Sequence, residues 1–253
     1  MRNHRRVAGL ATVTVLALGA AACGTAEAGT SQVPPSAADN LAAAVPDATT
    51  PAFSYTAKGG CMAQFSGMVD PATKTRQVES TMKTPHGTLT MSFKTVSSGT
   101  TYARITSKPA SLFTRAGIPR DWMKLDPAKF DDPDNDMVSF DEDDLDPMGV
   151  GRLVGVASGV VQDGAKFTGT LDLTRYGKGS SAIAADTVTE LGAQAQAIPF
   201  EAAVDEAGNV STMTIKVPSA KACTITYRYG KVKKPSAPKA KKAPAAVYRM
   251  LNG

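Results

Sequence analysis

The sequence predicts an α+β fold, in which a few short helices cover one face of a mainly antiparallel sheet. From Phe53 onward, apolar residues such as Tyr55 and Ala57 recur at every second position, which is the spacing of a strand with one buried face. Short turns rich in Gly, Pro and Asp separate these segments, and connections of that length join antiparallel neighbours. Three stretches with helical spacing interrupt the strands, and this mixture is typical of the α+β class.

The predicted elements follow in chain order. Three helices are expected. The first begins with the capping box of Ser36 and Asp39 and ends before Pro46, the second spans 148–163 after Asp146-Pro147, and the third spans 181–191. The predicted strands are one or two over 53–69 with a bend at Gly59-Gly60, then 76–83, a strand carrying Leu89, Met91 and Phe93, and 100–106, 121–126, 167–173, 197–204, 210–217 and 222–229.

The N-terminus carries an export signal that ends at Cys23. Basic residues precede an apolar run, and small residues lead up to the cysteine, so residues 1–22 are predicted to be a signal peptide. A cysteine in the first mature position resembles a bacterial lipoprotein signal. The resemblance implies that Cys23 is diacylated, for example with palmitate, and anchors the chain to the extracytoplasmic face of the cell membrane. The alternative is ordinary cleavage after small residues, which leaves Cys23 as a thiol.

Two further cysteines, Cys61 and Cys223, remain for the folded part of the chain. A cysteine pair in an oxidising compartment favours a disulfide. Residues 23–35 are small and polar and are expected to form a flexible tether before a domain over 36–230.

Charge is unevenly distributed along the chain. Residues 131–146 hold nine acidic residues, and the tail 231–253 holds seven Lys or Arg and no acid. An exported basic tail does not suggest nucleic acid. It could bind anionic lipid or a wall polymer, or it could be a solvated Lys/Pro/Ala tail. The acidic residues Asp132, Asp134 and Asp136 have the spacing of a calcium loop, but Met137 replaces the required Gly, so a solvated charged loop is the alternative to weak calcium binding.

No catalytic constellation accompanies these features. His86 is the only histidine of the predicted mature chain, and Ser80 and Lys83 lie on a predicted strand rather than at a helix start. The sequence therefore predicts a protein that is not an enzyme and that needs no cofactor.

Several short motifs carry a family resemblance over roughly 36–230. They are Gly67-Met68-Val69-Asp70-Pro71, Thr101-Tyr102-Ala103-Arg104, Gly117 to Asp126, Gly169 to Leu173, and Pro199-Phe200-Glu201 through Gly208. With the lipoprotein signal and the tether, they resemble the actinobacterial lipoproteins of the LppX/LprA/LprG type. The resemblance implies a LolA-like fold, a curved half-barrel sheet wrapped on helices around an apolar cavity that binds or carries a lipid, lipoglycan or other acylated molecule.

The expected cavity lies between the sheet and helix 148–163. Gly151, Gly155 and Gly159 would share one face of that helix, where missing side chains either leave a groove for an acyl chain or allow close packing on the sheet. The other residues expected to line it are Met91, Phe93, Phe167 and Leu171. The rival function is a protein-interaction or cell-wall-associated lipoprotein with no bound lipid.

Overall fold

The computed structural model describes residues 34–60, 63–114, 116–131, 140, 145–176, 183–218 and 222–252. Pro35–Gly253 forms one compact unit. Its five α-helices, counted over the described residues, are α1 Ala37–Ala43, α2 Ser111–Thr114, α3 Val150–Gly155, α4 Ala185–Leu191 and α5 Ala245–Leu251. Its strands over the same residues are β1 Phe53–Lys58, β2 Gln64–Asp70, β3 Thr75–Thr84, β4 Gly87–Thr95, β5 Thr101–Lys108, β6 Met123–Lys124, β7 Ala157–Asp163, β8 Lys166–Leu171, β9 Ile198–Val204, β10 Val210–Ile215, β11 Cys223–Tyr229 and β12 Lys241–Lys242.

The strands form one sheet in the order β12-β6-β5-β4-β3-β2-β1-β11-β10-β9-β8-β7. Every pairing is antiparallel except that of β12 with β6. Over the described residues the sheet is open, because its two edge strands β7 and β12 do not pair with each other. The predicted α+β class, with a large antiparallel sheet and short helices, is confirmed.

The capping box predicted at the start of α1 is present. The Asp39 amide donates to the Ser36 hydroxyl oxygen at 3.2 Å, and the Ser36 amide donates to the Asp39 carboxylate at 3.0 Å. These bonds satisfy amide groups that a helix start leaves without partners. Leu41 on this helix is fully buried, so the cap holds an apolar side chain over the sheet.

The register defines two faces of the sheet, since directly opposed residues point the same way. One row runs from Tyr227 through Tyr55, Gly67, Val78, Phe93 and Ala103 to Met123. We call the face with this row the inner face and the opposite face the outer face. The side chains predicted to be buried at 53, 55 and 57 all lie on the inner face and are buried.

Two groups of buried apolar residues cover the inner face. The first core cluster joins α1 and α3 to β1 and β8–β11, with Leu41, Leu153 and Phe200 as examples. The second core cluster joins β4–β6 to α5, and it includes Phe93, Met123 and Val247. The core therefore has two parts, each sealed by its own helices.

The prediction of one helix over 148–163 is wrong at both ends. The helix covers only Val150–Gly155, and Ala157–Asp163 is the edge strand β7 paired with β8. Gly159 adopts φ +59 where the register shifts, and Gly164 adopts φ +57 in the turn to β8. A residue in the left-handed region cannot continue an α-helix, and β-branched valines favour a strand. Val161 lies on this edge strand and is 61% exposed.

The basic C-terminal segment is not a solvated tail over its whole length. Residues 231–240 belong to no helix or strand, β12 pairs with β6, and α5 follows. We call residues 231–252 the C-terminal arm. Its lysines stay exposed except for their specific contacts, whereas Ala243, Val247 and Tyr248 are buried in the second core cluster. Apolar residues too few to give a strong sequence signal therefore fold the arm back onto the sheet.

Candidate functional site

Apolar side chains on the inner face of β2–β4 are only half buried. They lie between the two core clusters, and we call them the central strip: Phe65, Val78, Met82, Leu89 and Met91. On either side of the strip, equivalent positions such as Ala57 and Ile105 are fully buried by helices or loops. The strip is thus a partly exposed apolar surface at the centre of the sheet.

Polar groups border the strip. Ser80 and Ser107 are buried in the same rows of the inner face. At one end lies Tyr55, which is 2% exposed, and burial raises the pKa of its hydroxyl while the charge of Arg76 opposes that rise. Gly67 makes room for the Tyr55 ring, because a Cβ at position 67 would lie 2.5 Å from the Tyr55 hydroxyl oxygen. This end of the strip therefore combines a cation, a phenol and an apolar floor.

A second concave feature lies beside α3. It is a pocket of about 320 Å³ lined by Val45, Pro46, Leu145, Asp146, Gly149, Gly151 and Arg152. This volume is at the low end of the range for small-molecule sites. The pocket lies where the segment after α1 meets the start of α3.

Asp146 organises that pocket. Its carboxylate accepts hydrogen bonds from the Tyr227 hydroxyl at 2.7 Å and from the Gly151 amide at 2.7 Å, with the Met148 amide at 3.3 Å. Burial and the Asp146 charge raise the pKa of Tyr227 well above its ordinary value, so the phenol remains the donor. The arrangement ties the start of α3 to β11. The N-cap of α3 is Gly149, so the expectation that Asp146-Pro147 directly opens this helix is wrong, and the Asp146 side chain instead anchors the segment that precedes the helix.

The seven residues predicted to line one cavity are not brought together. Met91 lies in the central strip, whereas Phe93 is buried in the second core cluster, and Phe167 and Leu171 are buried in the first. The three predicted glycines are also separate. Gly151 lines the pocket beside α3, with Val45 3.3 Å from the position of its missing Cβ, and the positions of the missing Cβ atoms of Gly155 and Gly159 are open. The prediction that the three glycines share one helix face is wrong, because the helix ends at Gly155.

Some predicted site residues lie outside the described part of the chain. They are Cys23, Cys61, Asp132, Asp134 and Asp136. Cys223 is described, and it is fully buried on the inner face of β11. Within the described ranges, no cluster of three or more His, Cys, Asp or Glu side chains could hold a metal ion. The same residues include no helix long and apolar enough to cross a membrane.

Sequence reasoning placed the central-strip residues on strands without distinguishing them from core residues. Val78, Met82 and Leu89 follow the same alternation as the buried Phe93 and Ala103. Alternation reports which face a side chain points to, and only the helices decide which part of that face is covered. No local signal could have found the strip.

The fold described above is an α+β sheet with helices on one face. No family model matches the chain, and no curated protein matches it. Among solved structures, the chain is similar to the crystal structure of the Mycobacterium tuberculosis lipoprotein LppX. The identity is 14%, the match covers 73% of this chain and 90% of that chain, and the TM-score is 0.28. A likeness at this TM-score carries no argument about function.

Proposed function

We propose that the protein is a lipoprotein held at the extracytoplasmic face of the cell membrane through Cys23, and that it binds the acyl chain of a lipid or lipoglycan. The proposed binding surface is the central strip rather than a cavity beneath a long helix. The observation that carries the proposal is the half-buried state of five apolar side chains between two sealed core clusters. The role is binding without catalysis.

The chemistry of the strip suits an alkyl chain. Each CH₂ group that leaves water for this surface contributes about 0.8 kcal/mol, so affinity is expected to rise with chain length. Met82 and Met91 are unbranched and can adapt to chains of different shape. An acylated molecule satisfies all of these features at once.

Substitution of Met91 by Lys tests this surface. The charge would lie on the strip, so uptake of a long-chain fatty acid, measured with a fluorescent acyl probe and by native mass spectrometry, should fall at least about tenfold. Thr90→Lys is the matched control, because Thr90 is on the same strand but faces outward beside Thr81. Thermal unfolding of both variants verifies that each remains folded.

Equal uptake by Met91→Lys and Thr90→Lys would exclude the strip as the acyl site. A wild-type protein that takes up no acyl probe would favour the rival function, a protein-interaction or cell-wall lipoprotein without bound lipid. The small volume of the pocket beside α3 and the sealed core clusters favour this second function.

The anchor is tested separately. Cys23→Ala should release the protein from the membrane fraction or block cleavage before residue 23, because a diacylated cysteine supplies the two chains that stable attachment needs. Detergent phase partitioning of whole-cell extracts gives the readout. Wild-type protein in the aqueous phase would show that the chain is not acylated, and it would leave acyl binding at the strip to its own test.

A further inference from the structure

The outer face of β4–β6 places two cations against the single tryptophan of the chain. The Lys94 Nζ atom lies 4.7 Å from the centre of the Trp122 ring, and the Arg104 Cζ atom lies 4.9 Å from it. All three side chains are half buried. Such contacts hold the cationic groups beside an aromatic surface instead of leaving them free in water.

The C-terminal arm adds further charge to this face. Lys234 of the arm contacts Asp70 at 2.8 Å, which holds the arm against the outer face of β2. Lys233 lies close enough to influence Lys94, whose pKa is lowered by burial and then by the charges of Arg104 and Lys233. Like charges are therefore gathered here at an electrostatic cost, which an anionic partner would remove.

Acidic groups do not neutralise this cluster over the described residues. Asp70 is already bonded to Lys234, and Glu79, in the row of Arg104, accepts a hydrogen bond from Ser92. Asp121 adjoins Trp122 in the sequence and is exposed. Phe130 is buried in the second core cluster, and Phe140 packs on the first.

We propose that this surface, formed by Lys94, Arg104, Trp122 and the lysines of the arm around Lys233, docks onto a bilayer that contains anionic phospholipid. The argument is one of charge complementarity combined with an aromatic ring. Basic side chains near an anionic bilayer are attracted to its surface, and tryptophan is favoured at the boundary between headgroups and hydrocarbon. The proposal does not depend on acyl binding at the central strip, which is on the opposite face.

The test uses the compact unit Pro35–Gly253, which contains every described core contact and carries no acyl anchor. Sedimentation with vesicles of phosphatidylcholine, with or without about one third phosphatidylglycerol, measures binding. Binding is expected only with phosphatidylglycerol and should weaken as salt is added. Because the chain has one tryptophan, a blue shift of its emission on binding reports on Trp122 itself.

The triple variant Lys94→Gln, Arg104→Gln and Lys233→Gln should bind these vesicles about tenfold to a hundredfold more weakly and lose the blue shift. The matched control removes two lysines and one arginine from the outer face of the other half of the sheet: Lys58→Gln, Lys166→Gln and Arg228→Gln. It should retain the blue shift and bind within about threefold of wild type. Equal loss in both triple variants, or vesicle binding with unchanged Trp122 emission, would overturn the proposal.

Discussion

Truncation of the Tyr248 side chain tests whether the C-terminal arm is part of the core. Tyr248 is 6% exposed, and its ring centre lies 5.4 Å from that of Phe130 at an interplanar angle of 71°. Its hydroxyl oxygen accepts a hydrogen bond of 2.9 Å from the Asp126 amide. Helix α5 therefore contributes both an aromatic contact and a backbone hydrogen bond to the loop after β6.

The two contributions can be separated by two substitutions. Tyr248→Phe keeps the ring and removes the acceptor of the Asp126 amide, which should lower the free energy of unfolding by about 1 kcal/mol. Tyr248→Ala also removes the ring from a buried cluster and should lower it by about 3–5 kcal/mol in total, as aromatic truncations in cores do. A solvated tail would give no measurable change for either substitution.

Urea unfolding of Pro35–Gly253, followed by the emission of Trp122, measures the loss in the free energy of unfolding for both substitutions. Trp122 reports on the arm because its backbone carbonyl accepts a hydrogen bond from the Lys241 amide. Arg249→Ala is the matched control, since Arg249 is on the exposed side of the same helix and should change stability by less than about 0.5 kcal/mol. The reasoning is refuted if Tyr248→Ala and Arg249→Ala unfold at the same urea concentration.

Two further predictions concern the ends of β1 and β2. Cys61 and Cys223 are expected to form a disulfide, because a Cβ at Gly59 would lie 2.6 Å from the Cys223 Cα and the chain therefore reaches Cys223 close to position 61. Closing so long a loop should stabilise the fold by about 4–5 kcal/mol, and two free thiols in non-reducing peptide mapping would contradict it. Asp70→Asn should lower stability by about 1 kcal/mol at neutral pH. Burial raises the pKa of Asp70. Hydrogen bonds from Lys234 and Thr73 and the charge of Lys234 lower it by more, so the pKa of Asp70 lies below its ordinary value. The stabilisation is thus present above about pH 4 and lost as the pH falls through the lower folded value, so wild type and variant should converge in acid; a constant difference down to pH of about 2 would refute this.

The strand pattern of this protein was predictable because alternation is local. Phe53, Tyr55 and Ala57 are buried as their spacing indicated, and residues 223–229 form a strand within the predicted range 222–229. The α1 capping box was equally predictable, since its partners are three residues apart. These features depend only on residues a few positions apart.

Helix α3 shows where local reasoning fails. Val150, Leu153 and Val154 have helical spacing, and the valines that follow in the sequence continue that spacing. Pairing with β8 gives the valine-rich segment hydrogen bonds that a helix would otherwise supply, and Gly159 accommodates the irregularity. Pairing with β8 decided between helix and strand for this segment. The periodicity of the apolar residues does not show which strand will pair with it.

The sequence by itself determined the α+β class, the alternation of the inner face and the separation of basic and acidic segments, because each follows from residue types at fixed short spacing. The tertiary structure alone decided that the C-terminal arm crosses the outer face and ends in the core, that Lys233 joins Lys94 and Arg104 near Trp122, and that the central strip stays half covered. The contacts of the arm join residues more than a hundred positions apart, as Lys234 does with Asp70 and Tyr248 with Asp126. Such contacts form only where packing offsets the entropy of closing long loops, and that balance has no signature in a local window of sequence.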